Sequence, residues 1–173
     1  MGRLLLTSNN ADCWLVIDKE EIPAHKIILS SISPVFKAMF DHDCEESKTG
    51  KIRIKDFSLE AMKVIHNLIY EQVNDKLYGY LEDVYRFADR YNMDEFTKWI
   101  TNILLKSLTF ENICETASGA YSYQDKGTEI SDLYENCLKI LVSNYLYVSE
   151  MEHFDGMHPG VAKDILERIP IPE

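Results

Sequence analysis

The stretch from Asp12 to Phe40 constrains this chain more than any other. Cys13-Trp14-Leu15-Val16-Ile17 is an unbroken apolar run between Asp12 and the turn-like Asp18-Lys19-Glu20-Glu21. Such a run predicts a strand buried on both faces. From Pro23 onward, Ile27, Ile28 and Ile32 have the spacing of a short, well-buried helix. Ser33-Pro34 reads as a second helix start. Serine accepts from the free amides of a first turn, and proline at the first helical position forfeits no bond.

Beyond Phe40 the pattern weakens and then recovers. Asp41 to Gly50 is polar and reads as a loop carrying His42, Cys44, Glu45 and Glu46. Lys51-Ile52-Arg53-Ile54-Lys55 alternates with period two, as in a strand with one dry face. Ser58 is placed to cap a helix with Glu60 in its first turn and a stripe of Leu59, Met62, Ile65, Leu68 and Ile69. Val73 to Gly79 reads as loop, and a helix is expected from about Tyr80 to Tyr91, broken at Asn92. Another follows from about Asp94, burying Phe96, Ile100, Ile103 and Leu104. Thr109 is placed to cap a helix through Tyr121. After the polar Gln124 to Thr128, a long helix is expected from Ile130 to Val148, with Leu133, Cys137, Leu138, Leu141, Tyr145 and Val148 on its stripe. Pro159 opens a last helix through Glu167, and Pro170 and Pro172 stop it. The expected class is α+β: a small sheet packed on helices, then an all-helical C-terminal extension.

Composition excludes several functions. The 173 residues, 46% apolar, suffice for a real core. Eighteen basic residues against 29 acidic ones give a net charge of −11, a field that repels phosphate backbones, so no nucleic acid is expected as partner. No stretch reaches the roughly 20 apolar residues that span a bilayer, so no membrane partner is expected either, and with Met1-Gly2-Arg3-Leu4-Leu5-Leu6 too short for a secretory signal, an intracellular location in cytoplasm or nucleus is expected. The four cysteines form no Cys-x-x-Cys pair, and Cys13, Cys114 and Cys137 lie in apolar runs as buried thiols would. No nucleophile elbow, phosphate loop or EF-hand pattern occurs. His25 reads as a satisfied histidine within a structural helix rather than a base. His42-x-Cys44 lacks the second pair that zinc requires. Neither cofactor nor metal is expected, and the chemistry is recognition. Most tyrosines read as helix packing; Tyr121 and Tyr123, at a helix end before a polar loop, are the better interface candidates. Leu4-Leu5-Leu6 is either a tail covering a groove or a patch that a second subunit covers.

Asp12, Ala24-His25-Lys26 and Ser33-Pro34-Val35-Phe36-Lys37-Ala38-Met39-Phe40 resemble, in order and separation, the BTB (POZ) domain. The resemblance continues through Tyr70 and Ala88-Asp89-Arg90-Tyr91. Leu108-Thr109-Phe110-Glu111-Asn112 resembles the opening of the helical extension known as the three-box, and His158-Pro159 with Val161-Ala162 resembles the end of the speckle-type POZ branch, which couples a MATH to a BTB domain. Two departures stand out: Glu71-Gln72 replaces the family's Thr-Gly turn, and Asp125 to Thr128 looks inserted. The resemblance implies a BTB/POZ domain over 1–107 and a three-box, BACK-like extension over 108–173. It implies a non-catalytic, dimeric adaptor that binds the cullin-3 N-terminal domain and serves a cullin-RING ubiquitin ligase, with its substrate read by a MATH or Kelch domain not present in this sequence. Asp43-Cys44-Glu45-Glu46-Ser47-Lys48 resembles the branch's Met-Glu-Glu-Ser-Lys, with Cys44 at the apolar position and Glu46 as the acid. The cullin surface implied is Phe40, Cys44, Glu46, Tyr121 and Tyr123; the dimer surface implied is Leu4, Leu5, Leu6 and Ile28. A second reading, a BTB oligomerisation module recruiting corepressors near Lys26, is left open by Lys26 and disfavoured by the extension from Leu108.

Overall fold

In a computed structural model, which describes residues 10–169, the apolar run forms strand β1, Cys13–Ile17, and turns at Asp18-Lys19 into β2, Glu20–Ala24. Asp18 takes a left-handed φ of 52°, as a tight hairpin demands. β1 is central: β2 pairs with it antiparallel and β3, Lys51–Arg53, pairs with it parallel. Only one face of β1 is dry. Cys13, Leu15 and Ile17 are buried, whereas Trp14 and Val16 are half-buried, so the expectation of two buried faces is corrected to alternation. Ile52 and Ile54 extend the dry face, as their period predicts.

Pro23 and Ala24 belong to β2, not to a helix; helix α1 begins later, at Lys26–Ile32. Its buried face is His25, Leu29 and Ser33, spaced four apart. Ile27 lies roughly 200° around the helix from Leu29 and is 77% exposed, against the expectation of a well-buried helix. Ser33 starts α2, Pro34–Asp41, as expected: its hydroxyl accepts from the Phe36 amide at 3.1 Å and donates to the Tyr91 carbonyl at 2.6 Å. The 41–50 segment is not all loop, since Glu45–Thr49 makes one helical turn, α3, closed by Gly50 at φ 68°. α4, Leu59–Ile69, is capped by Ser58 as predicted.

A short helix, α5, Lys76–Gly79, interrupts the predicted 73–79 loop. α6, Leu81–Arg90, buries Leu81, Val84, Phe87 and Ala88 along one side; α7, Asp94–Ser107, follows the left-handed Asn92. α8, Ile113–Tyr121, starts four residues after Thr109, because the Asn112 side chain accepts the Thr109 amide at 2.9 Å and holds an intervening turn. α9, Thr128–Ser143, ends at Asn144, not Val148; Tyr145–Glu150 is a 3-10 turn, and Tyr145 is exposed rather than part of a stripe. α10 is Pro159–Arg168, with the His158 ring accepting the Gly160 amide at 3.0 Å.

The chain divides into two compact units. The first holds the chain up to Asn74 together with Arg86–Phe96; the second holds Asp75–Tyr85 and the residues from Thr97 onward. The first is the α+β part. Its aromatic core stacks Phe36 on Tyr91 at 4.3 Å between ring centroids, with Phe87 against both and Phe57 edge-on to Phe87. The second is helical, and there Tyr85 shares a hydrogen bond with Thr101 at 3.1 Å in the interior.

Candidate interaction groove

Pro34, Val35, Ala38, Met39 and His42 fall on one face of α2 and its end, away from the buried Phe36. With Cys44, Glu46 and Asn92 they line an open groove of about 600 Å³ in the first unit. The far wall is set by α3. The Cys44 thiol donates to the Met39 carbonyl at 3.0 Å, the Cys44 amide donates to the Ser47 hydroxyl at 3.2 Å, and that hydroxyl donates to the Cys44 carbonyl at 2.9 Å. Glu45 and Glu46 stand in the first turn and Lys48 in the last, each at the helix end its charge favours. The Glu46 carboxyl is held below the usual carboxylate range by its own backbone amide first and the Cys44 side chain second. The groove thus has an apolar floor and one anionic edge.

The motif residues that identify the stretch are its framework. The Asp12 carboxylate accepts the Lys26 amide at 2.7 Å, and the Lys26 ammonium donates to the Ser47 carbonyl at 3.2 Å while lying 5.4 Å over the Phe40 ring. One lysine therefore ties the hairpin, α2 and α3 together. Phe40 packs under that ammonium and does not line the groove, whereas Cys44 and Glu46 do. Val35, Ala38 and Met39 are not among the site residues the sequence points to; their i, i+3, i+4 spacing along one side of α2 is the available signal.

Tyr121 and Tyr123 belong to the second unit. Tyr121 stacks on His158 at 4.3 Å and meets Tyr134 edge-on at 5.8 Å, and a methyl group at Gly160 would overlap its ring. Tyr123 lies 6.0 Å from Tyr85. Both are half-buried. Ile28 is half-buried on α1, while Leu4, Leu5 and Leu6 lie outside the described residues. Among those residues no cluster suited to a metal ion occurs, and no helix is long and apolar enough to cross a membrane.

The sequence profile of the BTB/POZ domain family matches residues 1–108, and the chain belongs to that family. It is 35% identical over 107 residues to TD and POZ domain-containing protein 4 of Mus musculus, a match covering 61% of this chain and 29% of that protein. The BTB domain of human gigaxonin aligns with a TM-score of 0.41 at 28% identity, over 55% of this chain and 82% of that one. A BTB domain is a protein-interaction module, and no catalytic family is indicated.

Proposed function

We propose that this chain is a non-catalytic, dimeric adaptor that docks the cullin-3 N-terminal domain and so serves a cullin-RING ubiquitin ligase, in the manner of the speckle-type POZ branch. Residues 1–107 act as the BTB domain and 108–173 as a three-box extension, with the substrate read by a domain outside these 173 residues. The observation that carries the reading is the open groove where Met39, Cys44 and Glu46 meet. Cys44 offers the groove less apolar area than a methionine or leucine would, and Glu46 supplies a fixed charge beside it. Phe40 acts from beneath, by holding Lys26 over α3; Tyr121 and Tyr123 belong to the extension's share of the contact. Dimerisation uses the α1 surface at Ile28, where the exposed Ile27 adds apolar area, together with Leu4, Leu5 and Leu6.

The test is calorimetric titration of the chain with the cullin-3 N-terminal domain. Glu46→Lys is expected to weaken binding at least about tenfold, roughly 1.4 kcal/mol. Cys44→Leu is expected to tighten it, since added apolar area gains roughly 25 cal/mol per Å² buried. Melting curves should stay close to wild type, because neither side chain lies in the core. Absence of wild-type binding would remove the reading; binding indifferent to both changes would remove the groove from it.

A further inference from the structure

Seven large apolar side chains are exposed among the described residues, and four of them, Phe110, Tyr145, Leu146 and Tyr147, come from two short segments of the second unit. The turn Tyr145–Glu150 buries only Val148, while Leu146 and Tyr147 stand 69% and 60% exposed. Backbone bonds fix it: the Tyr147 amide donates to the Asn144 carbonyl at 2.9 Å and the Met151 amide to the Val148 carbonyl at 3.1 Å. Asn144 is anchored in turn by its side-chain amide on the Ile140 carbonyl at 2.8 Å. The aromatic faces are therefore held outward by a hydrogen-bonded turn with a buried anchor. A folded chain that exposes apolar area in one place presents an interaction site.

Phe110, 56% exposed, joins Tyr147 and Met151 in lining a groove of about 330 Å³. The rest of its lining is Asn144 and three acids, Glu111, Glu150 and Glu152, with no lysine or arginine among the described lining residues. Among the described residues, Glu152 has a His153 ring nitrogen 4.0 Å away. Aromatic faces beside carboxylates select a particular chemistry. A ring face attracts a cation within about 6 Å of its centroid. A guanidinium is planar, weakly hydrated and able to stack while its N–H groups bond carboxylates two at a time. Nucleic acids and anionic lipid surfaces are repelled by the same rim and by the net charge of −11.

We propose that this groove docks a cationic segment of a partner protein, an arginine guanidinium lying on the Phe110 and Tyr147 rings and bonding to the Glu111 and Glu150 carboxylates. The proposal does not rest on the adaptor reading, since the groove is built whether or not a cullin is bound elsewhere. Neither half of the site suffices alone. Exposed carboxylates act over a screening length of about 8 Å at physiological salt and choose no partner, and an apolar groove does not choose sign.

The experiment is fluorescence anisotropy of the full chain with a short labelled peptide alternating arginine and leucine, and with the same peptide carrying neutral citrulline for arginine. The arginine peptide is expected to bind and the citrulline peptide to bind at least about tenfold more weakly. The double variant Phe110→Ser, Tyr147→Ser leaves the charge untouched and is expected to lose at least about tenfold; so is Glu111→Gln, Glu150→Gln. Glu20→Gln, which removes one exposed acid from the first unit, is expected to bind as wild type. All four groove positions are exposed, and matching melting curves will establish that the variants fold; Glu150→Gln alone provides a milder change. Undiminished binding by the Phe110, Tyr147 variant, an equal loss in Glu20→Gln, or no binding of the arginine peptide at millimolar concentration would each overturn the proposal.

Discussion

His66 donates from Nε2 to the Pro23 carbonyl at 2.9 Å and packs its ring 4.7 Å from that of Tyr70, whose hydroxyl shares a 2.7 Å hydrogen bond with His25 Nδ1. Burial, the largest influence, pushes the His66 imidazole below its ordinary value; the Pro23 carbonyl opposes this and His25 adds to it. A folded pKa below the unfolded value of about 6.5 means that the unfolded chain takes up the proton first. The stability His66 contributes is thus present above about pH 6.5 and lost as pH falls through the folded pKa. Tyr70, pushed up to about 12 chiefly by burial, stays protonated throughout this window. The melting temperature should drop between about pH 7.5 and 5.5. His66→Gln, which keeps a donor for Pro23, should flatten that slope; a slope unchanged by the substitution would assign the proton uptake to another group. At this scale the sequence was half legible. His25 is structural, as the apolar residues beside it suggest, but only half satisfied: Nδ1 meets Tyr70 while Nε2 is buried without a hydrogen-bond partner among the described residues, and its packing with Tyr70 and His66 is long-range, which periodicity does not encode. Tyr121 is the converse case. Its place at a helix end suggested an interface, and its stacking on His158 comes from a distant helix start.

Among the elements, α2 depends most on one side chain. Ser33 is 1% exposed and serves two backbones at once, capping Phe36 and satisfying the carbonyl of Tyr91. Ser33→Ala removes the cap and leaves that carbonyl without its donor, so a loss of about 2–4 kcal/mol is expected in the urea unfolding free energy. A loss below about 0.5 kcal/mol would show that water replaces the hydroxyl at no cost. The cap itself was legible because Ser-Pro has a local mechanism. Other boundaries were not. α3 has no apolar side chain and hence no period; its signals are two acids at the start, a lysine near the end and Gly50 beyond, which is end chemistry alone. Tyr145 continues the apolar stripe of α9 in the sequence and so extends the expected helix to Val148, whereas the Asn144 side chain turns back to the Ile140 carbonyl and the helix stops. Counting Ile27 with Ile28 and Ile32 hid the Leu29 face, since in a seven-residue helix one side chain sets the buried direction.

For the whole molecule, the proposed dimer must bring together two chains of charge −11 each. Self-repulsion opposes the contact and salt relieves it, so light scattering should show the dimer tightening as ionic strength rises from about 0.05 to 0.3 M. Ile27→Asp with Ile28→Asp should give the monomer mass across that range; a dimer that survives both changes would place the contact elsewhere. The α+β class and the helical C-terminal part were readable from patterning, because strands and amphipathic helices announce themselves by period. The groove was readable only in part. Cys44 and Glu46 were found through resemblance, but the apolar floor of α2 required knowing which way Phe36 points.

One arrangement makes the folded molecule its own reporter. Cys13, Cys114 and Cys137 are buried and Cys44 is half-buried at the lip of the groove. Burial pushes the Cys13 and Cys137 thiols up to about 12 and raises that of Cys114 as well, so none of the three offers a thiolate near neutral pH. A chromogenic disulfide reagent should therefore count one thiol in the native chain and four in denaturant, matching the sequence. A fluorophore attached without mutagenesis would sit at Cys44, and its emission would then track whatever enters beside Met39.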